Sequence, residues 1–89
     1  MKAVITVTGR DSVGIIANVS RVCADQGANI LDITQTVVSE YFNMVLIADI
    51  SSEQCSFSKL SDALSELGQE LGLQIRVQRS EIFEAMYKV

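Results

Sequence analysis

The chain has 89 residues, 48% of them hydrophobic, and a formal net charge of −4 at pH 7. A body of this size supports one core, because it buries only roughly 60% of the surface that its unfolded chain exposes. Its seven basic residues are scattered and no apolar run reaches the roughly 20 residues that cross a bilayer, which argues against direct nucleic-acid binding and against a membrane span. We expect a single cytoplasmic domain over residues 1–89.

A strand and a helix are predicted first. Residues 2–8 alternate β-branched and small side chains, which is typical of a strand. After Gly9, Asp11 or Ser12 is placed to cap a helix, and Gly27 stands where a left-handed residue ends one. The apolar face of this helix comprises Ile15, Ile16, Val19, Val22 and Cys23.

A β-hairpin is predicted to follow the first helix. Residues 29–39 and 41–50 are rich in β-formers, and Ser39 and Glu40 can turn the chain between them. The first of these strands also contains polar residues, which fit either a solvent-facing edge strand or part of a ligand pocket. They are Asp32, Thr34, Gln35 and Thr36.

A second helix and a last strand complete the pattern. Apolar residues recur at intervals of three and four up to Gly72, which indicates one helix face. Leu64 is central to this face, and we expect Leu64→Asp to unfold the protein. Residues 73–78 alternate strictly, so the last strand has one buried and one wet face. The predicted helix face comprises Phe57, Leu60, Leu64, Leu67 and Leu71.

The element order predicts an α+β, ferredoxin-like βαββαβ sandwich, in which two helices cover one face of a four-stranded antiparallel sheet. The other face and the sheet edges remain open, and dimers commonly cover such surfaces. A short helical tail is expected to dock on the chain's own sheet or across a dimer. Its apolar residues are Ile82, Phe83, Met86 and Val89.

The sequence contains few of the residue patterns that are typical of enzyme active sites. The chain lacks histidine, the usual base for a Ser or Cys nucleophile, and no acidic pair is placed for acid–base work. Cys23 and Cys55 lie far apart in sequence and show no metal-ligand or redox spacing. We therefore predict no enzyme activity, no metal and no cofactor, and we interpret Cys55 as a surface thiol.

The loop of residues 9–14 is the candidate binding site. Unpaired N–H groups and the helix dipole favour an anion such as a carboxylate at the start of the first helix. Gly14 allows close approach to the backbone, Arg10 can pair with an acidic group and Asp11 can accept an ammonium. The alternative is that Asp11 or Ser12 is only a helix cap and Gly14 only a packing glycine.

Residues 9–15 together with residues 26–30 resemble the signature of the ACT domain, a ferredoxin-like regulatory module. The likeness spans nearly the whole chain and extends to small stand-alone bacterial and archaeal members. ACT segments of formyltetrahydrofolate deformylase and of the glycine-cleavage repressor are also similar. The characteristic loop of acylphosphatases, enzymes of the same architecture, is absent.

The resemblance implies a homodimer that binds an amino acid or related metabolite between subunits. Residues of the first loop would face the second strand of the partner, and Asp11, which stands where amino-acid-binding members often have asparagine, would favour an ammonium. The alternative is a purely structural dimerisation module without ligand. The implied ligand-binding residues are Asp11, Ser12, Val13 and Gly14 of one subunit and Asn29, Ile30 and Leu31 of the other.

Overall fold

In the computed structural model, which describes residues 1–50 and 55–81, the elements follow in the predicted order. The strands form one antiparallel sheet in the order β2-β3-β1-β4, which confirms the ferredoxin-like fold. The predicted tail beyond residue 81 lies outside the described residues. The elements are β1 (Lys2–Arg10), α1 (Ile15–Asp25), β2 (Asn29–Val38), β3 (Tyr41–Asp49), α2 (Phe57–Leu71) and β4 (Gln74–Arg79).

Side-chain alternation gives the sheet two different faces. Ile5 and Val7 of β1 pair with Leu46 and Met44 of β3, and all four are buried beneath the helices. The intervening residues, such as Val45, point to the opposite face. Within the described part of the chain neither helix covers that face, so we call it the open face. Neither α1 nor α2, in the same part of the chain, has the length and apolar character of a membrane span.

The start of α1 differs from the prediction. The expected cap at Asp11 or Ser12 is wrong: the helix is preceded by Gly14, whose φ is 90°, and no side chain caps it. The reason is that β1 pairs with β3 as far as Arg10, and the Asp11 N–H then donates to the Glu40 carbonyl at 2.8 Å. The chain therefore reaches the helix later than the sequence pattern indicates.

The end of α1 agrees with the prediction. Gly27 has φ 78° and follows the last helical turn. Its N–H donates to the Ala24 carbonyl at 3.0 Å, and the Ala28 N–H donates to the Cys23 carbonyl at 2.9 Å. This pair of bonds is a Schellman motif, which satisfies carbonyls that the helix leaves unpaired. Ala28 and Cys23 are both buried in the core.

The hairpin places β2 at the edge of the sheet. The edge-strand interpretation of its polar residues is therefore confirmed, since Asp32, Thr34 and Thr36 are exposed. Ser39 takes the left-handed conformation, with φ 58°, in the turn. A β-bulge interrupts the pairing of β2 with β3 near the start of β2. The residues before and after Leu31 pair with consecutive residues of β3, so Leu31 has no register partner. The sequence analysis did not anticipate this bulge.

Helix α2 begins and ends where the sequence predicts. Ser56 accepts a hydrogen bond from the Lys59 N–H at 3.4 Å, and Gly72 ends the helix with φ 69°. Leu64 is completely buried, but Leu71 is 39% exposed, so the predicted burial of Leu71 is wrong. Leu71 is the last residue of the helix, and after the turn at Gly72 the chain buries Leu73 instead.

The two leucines give a matched test of the core. We expect Leu64→Ala to cost about 2–5 kcal/mol of unfolding free energy, because it leaves a cavity under the helix. Leu71→Ala in the same helix should cost less than about 1 kcal/mol, because its side chain is partly in water already. Chemical denaturation monitored by circular dichroism measures both. Equal losses in the two variants would contradict the packing described above.

Candidate functional site

A shallow cleft of about 400 Å³ lies where the first loop enters α1. Val37 of β2 forms part of one wall; it pairs with the buried Phe42 and so points to the helix side of the sheet. Val37 is nevertheless 49% exposed, which indicates that α1 does not cover this end of β2. The cleft is lined by Asp11, Ser12, Gly14, Ile15, Ile16, Ala17, Gln35, Val37 and Phe42.

The floor of the cleft is the uncapped N-terminus of α1. The first backbone N–H groups of a helix have no intrahelical carbonyl to bind, and no side chain caps them here. The side-chain amide of Asn18 donates to the Gly14 carbonyl at 2.8 Å, which fixes the glycine beside the cleft. A Cβ on Gly14 would stand 3.3 Å from this amide and would require a strained φ of 90°. The N-terminus is therefore held open toward the cleft.

Some of the loop residues implied by the resemblance line the cleft, and others are exposed to solvent. Asp11, Ser12 and Gly14 line the cleft, whereas Val13 is fully exposed at the tip of the loop. Arg10 lies in β1 opposite Tyr41, on the open face of the sheet, and its guanidinium is 3.7 Å from the Glu40 carboxylate. Arg10 thus stays outside the cleft within one chain.

The remaining predicted residues, Asn29, Ile30 and Leu31, lie at the other end of β2. Asn29 pairs with Asp49, and Asp49 pairs with Lys2 at the start of β1, whereas the loop follows the end of β1. With a rise of about 3.3 Å per residue, the length of β2 separates the two groups by roughly 25–30 Å. One chain does not bring them together. Asn29 and Leu31 are both accessible for contact with another molecule.

Sequence reasoning missed five residues of the cleft: Ile15, Ile16 and Ala17 of α1, and Val37 and Phe42 of the hairpin. Phe42 and Val37 were interpreted only as strand residues, because nothing in their spacing shows that the helix stops short of them. Gln35 carried a signal, since a polar side chain stands there in an otherwise apolar strand. The alternative that it belongs to a ligand pocket is consistent with its place in the cleft wall.

A second, smaller cleft of about 250 Å³ lies between the two helices. Asp25, Glu66 and Glu70 contribute acidic groups to it and Arg21 a basic one. Among the described residues no group of three or more His, Cys, Asp or Glu side chains is arranged to hold a metal ion. The described lining of this cleft contains no Ser, Thr, Cys, Lys or His side chain.

The thiols are poorly suited to nucleophilic chemistry. Burial raises the pKa of the Cys23 thiol to about 11, and the charge of nearby Cys55 acts in the same direction. Partial burial also raises the pKa of Cys55, which precedes the N-cap of α2 and packs against the core. Because the thiolate is the reactive form, raised pKa values make both groups less nucleophilic at neutral pH.

Comparison with known proteins agrees with this architecture. The family model for the ACT domain matches residues 2–78. A UPF0237 protein of Clostridium acetobutylicum is 48% identical over 89 residues, which is 100% of both chains. The structure of an ACT domain protein from Streptococcus pneumoniae is 46% identical, with a TM-score of 0.81 and coverage of 98% of each chain.

A more distant similarity covers part of a larger protein. A structure described as a glycine cleavage system transcriptional repressor is 26% identical, with a TM-score of 0.79. The match covers 89% of this chain but 45% of the repressor chain. The present chain therefore corresponds to about half of that protein.

Cys23 makes protein stability depend on pH. The unfolded chain loses this proton near pH 8.5, the ordinary pKa of cysteine being about 8.5, whereas the folded protein keeps it up to about pH 11. Between these values the unfolded state binds fewer protons, so the unfolding free energy falls as pH rises, by up to about 3 kcal/mol. Cys23→Ala removes this contribution. Denaturation of both proteins across this range should show a steeper fall for the wild type; parallel curves would contradict the burial effect.

Proposed function

Because this chain belongs to the ACT domain family, whose members are regulatory and often bind ligands, we propose that it senses a small molecule. The ligand is an amino acid or a related metabolite, bound where two copies of the chain meet. The observation that carries this proposal is the cleft at the uncapped N-terminus of α1. A sensor of this kind performs no chemistry on its ligand, in keeping with the absence of histidine from the sequence.

The cleft has complementary groups for a zwitterion. The free N–H groups and the helix dipole at the start of α1 attract a carboxylate. The Asp11 carboxylate lines the same cleft and attracts an ammonium. Ile16 and Val37 supply apolar surface for a short side chain. A molecule that carries an ammonium and a carboxylate on the same carbon fits this arrangement better than a simple anion, which Asp11 would repel.

A second copy completes the site. The loop lies at one end of the sheet and Asn29 at the other, and β2 is an edge strand. If two copies of β2 lie antiparallel, the loop of each copy comes near the start of β2 in the other. The start of β2 of the second copy, with the accessible Asn29 and Leu31, then borders the open side of the cleft. The exposed β2 edge and its accessible Leu31 support this arrangement.

A second candidate function is dimerisation without a ligand. The favouring observation is the edge strand itself, since its outward backbone groups form a template for pairing with another strand. In this case the domain would join two copies and the cleft would hold only water. Metabolites would then leave the stability of the dimer unchanged.

A thermal-shift screen of amino acids separates these functions. Glycine comes first, because a similar structure is described as a repressor of the glycine cleavage system. A ligand at one hundred times its dissociation constant should stabilise the folded protein by about 2.7 kcal/mol. Gly14→Ala should abolish the shift, because the new Cβ strains the backbone at the cleft. A folded protein that responds to none of these compounds would support the structural module.

Mixing two inactive variants tests whether the site is shared. Asp11→Ala and Asn29→Ala should each lose the ligand response as homodimers, because each lacks one half of both sites. Unfolded and refolded together, they form mixed dimers that contain one intact site and one doubly altered site. Recovery of part of the calorimetric binding signal is expected. Failure to recover any signal, with mixed dimers verified by native mass spectrometry, would place both residues in one subunit's site or outside it.

A further inference from the structure

One valine on the open face is buried although no described element covers that face. Val4 of β1 pairs with Ile47 of β3 and Gln78 of β4 on this side of the sheet. Val4 is 4% exposed and does not belong to the core cluster beneath the helices. Val45, on the same face of the neighbouring strand β3, is 38% exposed. Both strands are internal to the sheet, so an internal position does not by itself bury a valine here.

The burial on the open face is local. Along β1, Thr6 is half-buried, Val4 is buried and Lys2 is exposed. Along β4, Arg76 is exposed, whereas Gln78, beside Val4, is half-buried. The cover is therefore centred on Val4, close to the end of β4.

The position of this patch indicates which part of the chain covers it. Two segments lie outside the described residues, 51–54 and 82–89. The first joins Ile50 to Cys55, and both of these pack with the core beneath the helices, so the residues that flank it lie on the helix side of the sheet. The second follows β4, and residue 82 comes four positions after Gln78, the strand partner of Val4. Residues 80 and 81 already have helical conformation.

The composition of residues 82–89 suits an apolar patch on a sheet. Glu84 and Lys88 are four residues apart, a spacing that stabilises a helix, and they fall on the side opposite the apolar residues. A helix of this length is about 12 Å long, enough to cover Val4 and its neighbours on β3 and β4. It is too short to be stable alone and needs a surface to fold against. The apolar residues on one helical face are Ile82, Phe83, Met86 and Val89.

We propose that residues 82–89 form a helix that docks on the open face of their own chain, over Val4 and Ile47. The short connection from β4 holds this segment beside the patch at a high effective concentration, which favours docking within one chain over exchange between copies. The docked helix closes this part of the face to a second copy. Association between copies is then left to the edge strand β2. The proposal is independent of the cleft, which lies on the helix side of the sheet.

A double-mutant cycle in the full chain tests the contact. Met86 is at the centre of the apolar helical face, so Met86→Ala and Val4→Ala should remove parts of the same contact. Their combined effect on the unfolding equilibrium constant should then be about fivefold or more below the product of the single effects. Chemical denaturation measures these constants, and circular dichroism verifies that each variant is folded.

Two control cycles use matched positions. Val45→Ala with Met86→Ala alters the same side-chain type on the same face, at a position that is exposed. Val4→Ala with Glu84→Ala alters the opposite side of the proposed helix. Both controls should lie within about twofold of the product of their single effects. Equal coupling in the three cycles, or none between Val4 and Met86, would overturn the proposal.

Nuclear magnetic resonance of the unaltered protein tests whether the docking is intramolecular. Nuclear Overhauser contacts are expected between the methyl groups of Val4 and Met86 in a uniformly ¹³C-labelled sample. Labelled and unlabelled chains, unfolded and refolded together, allow an isotope-filtered spectrum to select contacts between copies, and the Val4–Met86 contact should be absent from it. Its presence there would show that the tail is exchanged between copies and would overturn docking within one chain. Absence of the contact from both spectra would overturn the proposal as well.

Discussion

The close approach of Leu73 to two glycines determines how the layers of this domain meet. A Cβ on Gly9 would stand 2.6 Å from the Leu73 side chain, and a Cβ on Gly68 would stand 2.8 Å from the Leu73 carbonyl. The Leu73 N–H also donates to the Gly68 carbonyl at 2.8 Å. These contacts hold the end of α2, the start of β4 and the end of β1 together without room for another carbon. They fix the point from which the first loop leaves the sheet.

The position of the loop then depends on topology. Because α1 carries the chain back along the sheet, β2 begins at the opposite end from the loop. The family resemblance pairs the loop with the start of β2, and the antiparallel sheet keeps these segments apart within one chain. The proposed site therefore requires that the two segments come from different subunits. A twofold arrangement of edge strands is the simplest operation that reverses one strand relative to the other.

Elements with strong periodicity could be predicted from the sequence, whereas features set by tertiary contact could not. The face of α2 and the glycines at the ends of both helices were predicted because their spacing and conformation are local properties. The Asp11 or Ser12 cap was wrong because pairing with β3 extends β1. Leu71 was assigned to the core by its spacing alone, although Gly72 ends the helix immediately after it. The bulge at Leu31 and the uncovered Val37 reflect how strand and helix meet.

A domain of this size has a small hydrophobic core, which limits the stability of a single chain. Its 89 residues bury a smaller fraction of their surface than a larger domain does, so in the proposed dimer the contacts between copies would add a large share of the stabilising free energy. A ligand held between subunits binds the assembled state and not the separated one, and therefore stabilises the assembly by mass action. By reciprocity, any interface that favours assembly also raises the apparent affinity for the ligand.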